Sequence, residues 1–300
     1  MFGHPGQLIA LASLGDAKST LQLANDNETP YPSMHKAVRG LEKSGFVRTK
    51  RQGRMLWVSA VSPELPALAR ALMSEAPRQD WRNVFRGSRP YFLDALDRTG
   101  SPELAAEMTS KARSSAYHAI KAHSEQGILV KQDGRYSINP RLQHLRRFLR
   151  KASLYHAYAQ VHDVDPDATI LWAGGPEALF ASRKGLESSN VQEGGLSAFH
   201  RFGIDLIEPE LRHYFLGTRR LDAADAILQA LLASPASTVT KSYCALLYET
   251  QRPSTLDAKA VLYGLEPEAK LLRKYVDTHK APGFMGWDQH ERYREQYGVA

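Results

Sequence analysis

A helix-then-hairpin pattern occurs twice in this chain, and the repetition constrains the fold more than any other feature. The first copy runs from Pro30 to Ser59, PYPSMHKAVRGLEKSGFVRTKRQGRMLWVS. Met34, Ala37, Val38 and Leu41 recur at helical spacing and form one apolar stripe. Ser33 is placed to N-cap that helix, with Pro30 and Pro32 stopping any earlier one. Gly45 is placed to end it in the left-handed conformation that only glycine adopts cheaply. Phe46-Val47-Arg48 opens a strand, Lys50-Arg51-Gln52-Gly53-Arg54 forms a basic turn, and Met55-Leu56-Trp57-Val58 returns.

The second copy, Ser114 to Asn139, reads SSAYHAIKAHSEQGILVKQDGRYSIN. At a constant offset Ser33, Met34, Ala37, Val38, Leu41 and Gly45 meet Ser115, Ala116, Ala119, Ile120, His123 and Gly127. Gly53-Arg54 meets Gly134-Arg135 once one turn residue is dropped. Upstream, Leu8 to Leu14 matches Tyr91 to Leu96 as a first helix, and Leu21 to Ala24 matches Leu104 to Glu107 as a second. Repeats this far apart mean duplicated domains rather than a solenoid. Three helices followed by a hairpin with a cationic tip make a winged helix-turn-helix, which reads double-stranded DNA with its third helix and reaches flanking phosphate with the tip. The expected groove residues are Ser33, His35, Lys36, Arg39 and Lys43 in the first copy, with Lys50, Arg51 and Arg54 on its wing. In the second copy they are Ser114, Tyr117, His118 and Lys121, with Arg135 on the wing. The second helix carries fewer cations and its wing holds Asp133, so it is expected to contribute less affinity.

The charge distribution agrees with a polyanion partner for the repeats. Residues 1 to 150 hold 23 Lys and Arg against 13 Asp and Glu, a balance of +10, whereas residues 151 to 300 hold 16 against 19, a balance of −3. Such asymmetry points to nucleic-acid contact in the first half. The single cysteine, Cys244, rules out a disulfide framework and a cysteine-rich metal site. No basic region followed by an apolar run opens the chain, and no stretch approaches the roughly 20 apolar residues of a membrane span, so a cytoplasmic, nucleoid-associated protein is expected.

The expected organisation is helix-rich α+β. Two tandem winged helix-turn-helix domains, residues 1–62 and 90–139, are joined by a linker with a short helix at 63–89. An amphipathic helix at 140–163 and a small α+β domain with a helical tail at 168–300 follow. In the linker, Trp81 and Phe85 are expected to dock on a domain. In the connecting helix, Leu142, Leu145, Phe148, Leu149, Ala152, Tyr155 and Ala159 form the apolar stripe, and Arg141, Arg146, Arg147, Arg150 and Lys151 a cationic side. Two readings stand for it: packing on the second repeat, or dimerisation into a homodimer. In the last portion Thr169 to Ala173 reads as a strand, and Ala178 to Ala181 as a returning strand or, alternatively, part of a helix from Pro176. Leu196 to Phe202 reads as a helix, His213 to Leu216 as a strand, and the text from Asp222 onward as helices.

Little in this half points to catalysis. It has no phosphate-binding glycine loop, no paired histidines of a zinc protease and no serine elbow. Gly174-Gly175 after a strand suits a nucleotidyltransferase only if two carboxylates one residue apart follow, and Asp222 and Asp225 are three apart. No cofactor or metal is expected. Phe284 and Trp287, in the loop Pro282-Gly283-Phe284-Met285-Gly286-Trp287, have the aromatic character of a partner-binding anchor.

The run LSAFHRFGIDLIEP (Leu196 to Pro209), a strand, and DAADAILQALLASPAST (Asp222 to Thr238) resemble the C-terminal half of AbiEi-like antitoxins and related archaeal and bacterial winged-helix regulators. The resemblance implies a regulator of its own promoter, whose partner is a nucleotidyltransferase-type toxin. This chain departs from that pattern in having two winged helices instead of one. The sequence reading is therefore a sequence-specific DNA-binding transcriptional regulator and not an enzyme. The alternatives are a replication or partition initiator of a mobile element and a DNA-targeted nucleotide-handling enzyme.

Overall fold

The computed structural model describes residues 6–206 and 210–299. The last three residues of the Leu196 to Pro209 run therefore lie outside the described part. The structure is helix-rich α+β with three small sheets among the described residues. Contacts divide it into two units. One holds the described residues up to Asp163 with Ala173–Pro176, and the other holds Val164–Trp172 with the described residues from Glu177 onward.

The first unit opens with α1 (Gln7–Ala12), β1 (Lys18–Ser19), α2 (Thr20–Asp26), α3 (Tyr31–Lys43), β2 (Val47–Gln52) and β3 (Met55–Ala60), the strands ordered β1-β3-β2. Ser19 caps α2 reciprocally: its hydroxyl accepts from Gln22 N at 3.2 Å while Gln22 Oε1 accepts from Ser19 N at 2.8 Å. Helix α3 starts three residues earlier than the sequence suggested, at Tyr31, so Ser33 is inside the first turn and not its cap. The reason is Pro32. In the first turn a missing N–H costs nothing, and the ring presets a helical φ, so proline starts this helix instead of blocking it. At the other end Gly45 takes φ +75°, and a Cβ there would lie 2.4 Å from the Cβ of Ala159. Glycine is required at that point by conformation and by proximity alike.

Helices α4 (Glu64–Glu75) and α5 (Trp81–Val84) follow, then the second copy: α6 (Arg89–Thr99), α7 (Pro102–Met108), α8 (Arg113–Glu125), β4 (Leu129–Gln132) and β5 (Arg135–Ile138). Trp81 and Phe85 dock as expected. The indole Nε1 donates to Ala76 O at 3.1 Å, and Phe85 meets Phe148 edge-on at 5.4 Å. No β1 equivalent precedes α7. Instead Tyr136 N donates to Gly100 O at 3.1 Å, a single bond where the first copy has a strand.

Helix α9 (Gln143–Val164) belongs to the interior of this unit. Leu145, Phe148, Leu149, Ala152, Ser153, Ala157 and Val161 are buried. Two nearly inaccessible carboxylates of α6 hold it. Asp94 accepts from Ser153 Oγ at 2.9 Å and from Gly175 N at 3.0 Å. Asp97 accepts from Arg146 Nη2 at 2.8 Å and from Ile138 N at 2.9 Å. On its other flank Ala159 meets Gly45, and His156 Nδ1 lies 3.3 Å from Ser44 O. Most of the apolar stripe is thus packed within the chain, with Tyr155 and Ala159 half-buried, which favours the packing reading of this helix.

The second unit carries most of β6 (Thr169–Gly174), whose last two residues count with the first unit, and all of β7 (Glu177–Ser182), β8 (Val191–Glu193) and β9 (Arg212–Leu216), the sheet being ordered β6-β7-β9-β8. Every residue of β7 is buried, and Leu179 pairs with Phe215, so the strand reading stands and the helix alternative falls. Gly195–Phe202 is a 3-10 helix, and β8 is a strand that the polar run around it had hidden. Helices α10 (Ala223–Ala233), α11 (Thr238–Gln251), α12 (Leu256–Tyr263), α13 (Glu266–Thr278) and α14 (Trp287–Gln296) complete the unit. Between sheet and helices Arg219 donates to Glu177 Oε1 at 2.7 Å, Asp225 Oδ1 at 2.8 Å and Tyr263 Oη at 2.9 Å. Lys259 Nζ donates to Asp222 and Asp225 at 2.7 Å each. These buried charges answer one another, as burial requires.

Candidate nucleic-acid interface

The apolar side of α3 buries Met34, Ala37, Val38 and Leu41, which turns Lys36, Arg39 and Lys43 outward. Ser33 and His35 are half-buried beside them. Among the described residues Lys36 and Lys43 have no ion-pair partner, and neither do Arg51 and Arg54. Arg39 is different. Its Nη1 donates to Glu42 Oε2 at 2.6 Å, and the other carboxylate oxygen accepts from Thr49 Oγ1 of β2. Burial works to raise the Glu42 carboxyl, but the Thr49 and Arg39 hydrogen bonds outweigh it and hold it below its ordinary value. Glu42, which the sequence did not single out, therefore ties the guanidinium to the hairpin.

The hairpin does not present its cations on one face. Register pairs Lys50 with Trp57 and Arg51 with Leu56, and successive strand residues point to opposite sides. Val47 is buried and Thr49 bonds to α3, so Arg51 shares the helix side of the sheet. Lys50 lies on the outer side with Arg48.

In the second copy Ser114, Tyr117, His118 and Lys121 are exposed on α8. A carboxylate of α7 intrudes there. Glu103 Oε1 accepts from Tyr117 Oη at 2.8 Å and from Arg113 Nη2 at 3.3 Å, and the tyrosine bond leads in holding the carboxyl low. Lys121 stands 4.0 Å from Glu125. Arg135 is not at the hairpin tip. Asp133 and Gly134 both take positive φ and form the two-residue turn, whereas in the first copy the turn is Gly53-Arg54. Aligning glycine with glycine therefore shifts the register by one residue, and Arg135 falls on β5. Its side chain covers Gly100 and its Nη2 donates to Thr99 O at 3.3 Å, so it anchors the hairpin to α6. At His123, where the first copy has Leu41, an imidazole is 1% exposed, and Gln126 beside it is its one polar partner among the described residues. Burial first, then the charge of Arg89, lowers its pKa to about 4.

The cations of α9 are largely engaged. Arg146 and Arg150 reach Asp97, and Lys151 reaches Glu64 at 3.0 Å. Arg82, Arg86, Arg141 and Arg147 are exposed. In the second unit, Phe284 stacks on Tyr275 at 4.4 Å and Trp287 on His279 at 3.7 Å, so both aromatics dock within the chain. Trp287 still lines an open cavity of about 570 Å³ with Arg252 and Arg294. No group of three His, Cys, Asp or Glu among the described residues could hold a metal ion, and no helix among them is long and apolar enough to cross a membrane. No family model matches the chain, and no curated protein matches it.

Proposed function

We propose that this chain is a sequence-specific double-stranded DNA-binding regulator of transcription, built on two winged helix-turn-helix modules. The observation that carries the reading is the outward row of Lys36, Arg39 and Lys43 on α3, with Arg51 on the helix side of the hairpin and Arg54 exposed in its turn, where Glu42 is the neighbouring acid and is paired with Arg39. A helix of this kind fits a major groove, and the two hairpin arginines reach phosphates on either side. The second module contributes less, because Glu103 partly neutralises α8 and Arg135 is tied back to Thr99 O of α6. Duplex titrations across ionic strength test the reading. About six phosphate contacts give a log–log slope of about −5, and an affinity that does not change with salt would end it.

The resemblance of the second unit to AbiEi-like antitoxins supports a narrower form, an autoregulator whose second unit holds a nucleotidyltransferase-type toxin. Co-purification of the full chain with the product of a neighbouring gene tests that form separately. No partner in the pull-down, with repression intact, leaves the regulator and removes the antitoxin.

A further inference from the structure

The first-copy sheet has a second, outer face that the duplex reading leaves unused. Its inner side is covered by helices, with Thr20 Oγ1 donating to Leu56 O at 3.1 Å and Thr49 bonded to Glu42. On the outer side the register aligns Arg48 with Ser59, Lys50 with Trp57 and Gln52 with Met55. A shallow groove of about 580 Å³ runs over this face, lined by Ala17, Arg48, Lys50, Gln52, Trp57 and Ser59 among others, and no acidic residue lines it.

Trp57 is unlike the other three tryptophans. Trp81 donates its indole N–H to Ala76 O, Trp287 donates to Glu291, and Trp172 packs on Tyr263 at 4.9 Å. Trp57 is half-buried and, among the described residues, has neither an aromatic neighbour nor an acceptor for its N–H. Arg48 and Lys50 beside it are exposed, and no carboxylate among the described residues pairs with them. Met55 extends the apolar part of the patch at 51% exposure.

We propose that this face binds single-stranded nucleic acid, one base stacking on the Trp57 indole while Arg48 and Lys50 hold the adjoining phosphates. A free π-face beside unneutralised cations calls for a ligand that is aromatic and anionic at alternate positions. A duplex does not offer this, because its bases are stacked on one another, whereas an unpaired strand does. Arg48 and Lys50 are two residues apart on the same face, about 7 Å along the strand, a spacing that suits successive phosphates of an extended chain. An acidic peptide would satisfy the cations and leave the indole face open.

The test is anisotropy with a labelled short oligothymidine on the full chain, beside a duplex probe. Trp57→Ala is expected to weaken single-strand binding roughly tenfold while Trp57→Phe keeps most of it, because stacking needs a ring rather than this ring. The double variant Arg48→Ala/Lys50→Ala alters two exposed residues and keeps the test alive if Trp57→Ala folds poorly. It is expected to flatten the single-strand salt slope by about 1.4. Arg39→Ala is expected to weaken the duplex probe and leave the oligothymidine unchanged, which separates this proposal from the duplex reading. Unchanged binding by Trp57→Ala, or competition by polyglutamate as effective as competition by unlabelled oligothymidine, would overturn it.

Discussion

Replacing His123 with leucine, the residue that the first copy places at the equivalent point, should make the protein both more stable and less sensitive to acid. In the unfolded chain the imidazole titrates near its ordinary 6.5, but in the fold it is held at about 4. Its folded pKa is depressed, so the unfolded state binds the proton first as pH falls. Stability is therefore fully present above pH 6.5, is lost progressively as pH drops toward 4, and falls no further below that. From pH 7 to pH 5 the loss is about 2 kcal/mol from this one side chain, and about 3 kcal/mol when complete. His156 is also lowered to about 4, chiefly by burial, and adds a loss of the same sign and window. The wild type should thus lose about 4 kcal/mol over that interval and His123→Leu about half as much. At pH 7 the leucine variant should already gain about 1 kcal/mol, since a buried imidazole whose polar atoms are at best weakly met by Gln126 gives way to an apolar side chain. Urea titrations by circular dichroism at pH 7 and pH 5, with amide exchange along α8 to localise the change, measure this. Identical pH dependence in the two proteins would refute the burial argument for His123.

Three further outcomes follow from named contacts. Arg39→Ala should cost about 1–3 kcal/mol of discrimination between operator and unrelated duplex, while Arg51→Ala weakens both alike, as competitive footprinting would show. Gly45→Ala should cost about 2–4 kcal/mol because strained φ is joined by collision with Ala159, whereas Gly127→Ala, at φ +68° with open space around it, should cost only about 1–2; chemical denaturation ranks the two. Asp97→Ala deprives Ile138 N–H and Arg146 of their shared acceptor and should cost about 2 kcal/mol, a fall of about 4–8 °C in Tm by differential scanning calorimetry.

Periodicity exposed the helices that bury a continuous stripe, and α10 opens where the helical text was expected to begin, because alanine and leucine fill it after an Asp222 cap. Short-range punctuation was less transparent. The prolines before α3 were read as breakers because their effect depends on position: Pro32 lies in the first turn, where it favours the helix. Strand β8, three residues long, has too little sequence to show alternation. At the candidate interface, the residue types on α3 could be read from spacing. The side on which Lys50 falls could not, since it depends on hairpin register. Nor could the intrusion of Glu103, which comes from a different helix and meets Tyr117 only in three dimensions. The Arg219 cluster escaped for the same reason: its members span Glu177 to Tyr263 and share no local pattern.

Helix α9 runs past the end of α3 at Gly45 on one flank and is bolted to α6 by Asp94 and Asp97 on the other. It therefore acts as a ruler between the two modules. On a regulator of the proposed kind, a ruler turns two weak readings into one event, provided that both subsites appear at the distance and rotation it dictates. Under that proposal the DNA would have to match the gauge that α9 sets. Inserting about five base pairs, half a helical turn, between the subsites would carry the second to the far side of the duplex and leave only the first module bound. An operator for this chain would then be defined by its spacing as much as by its bases.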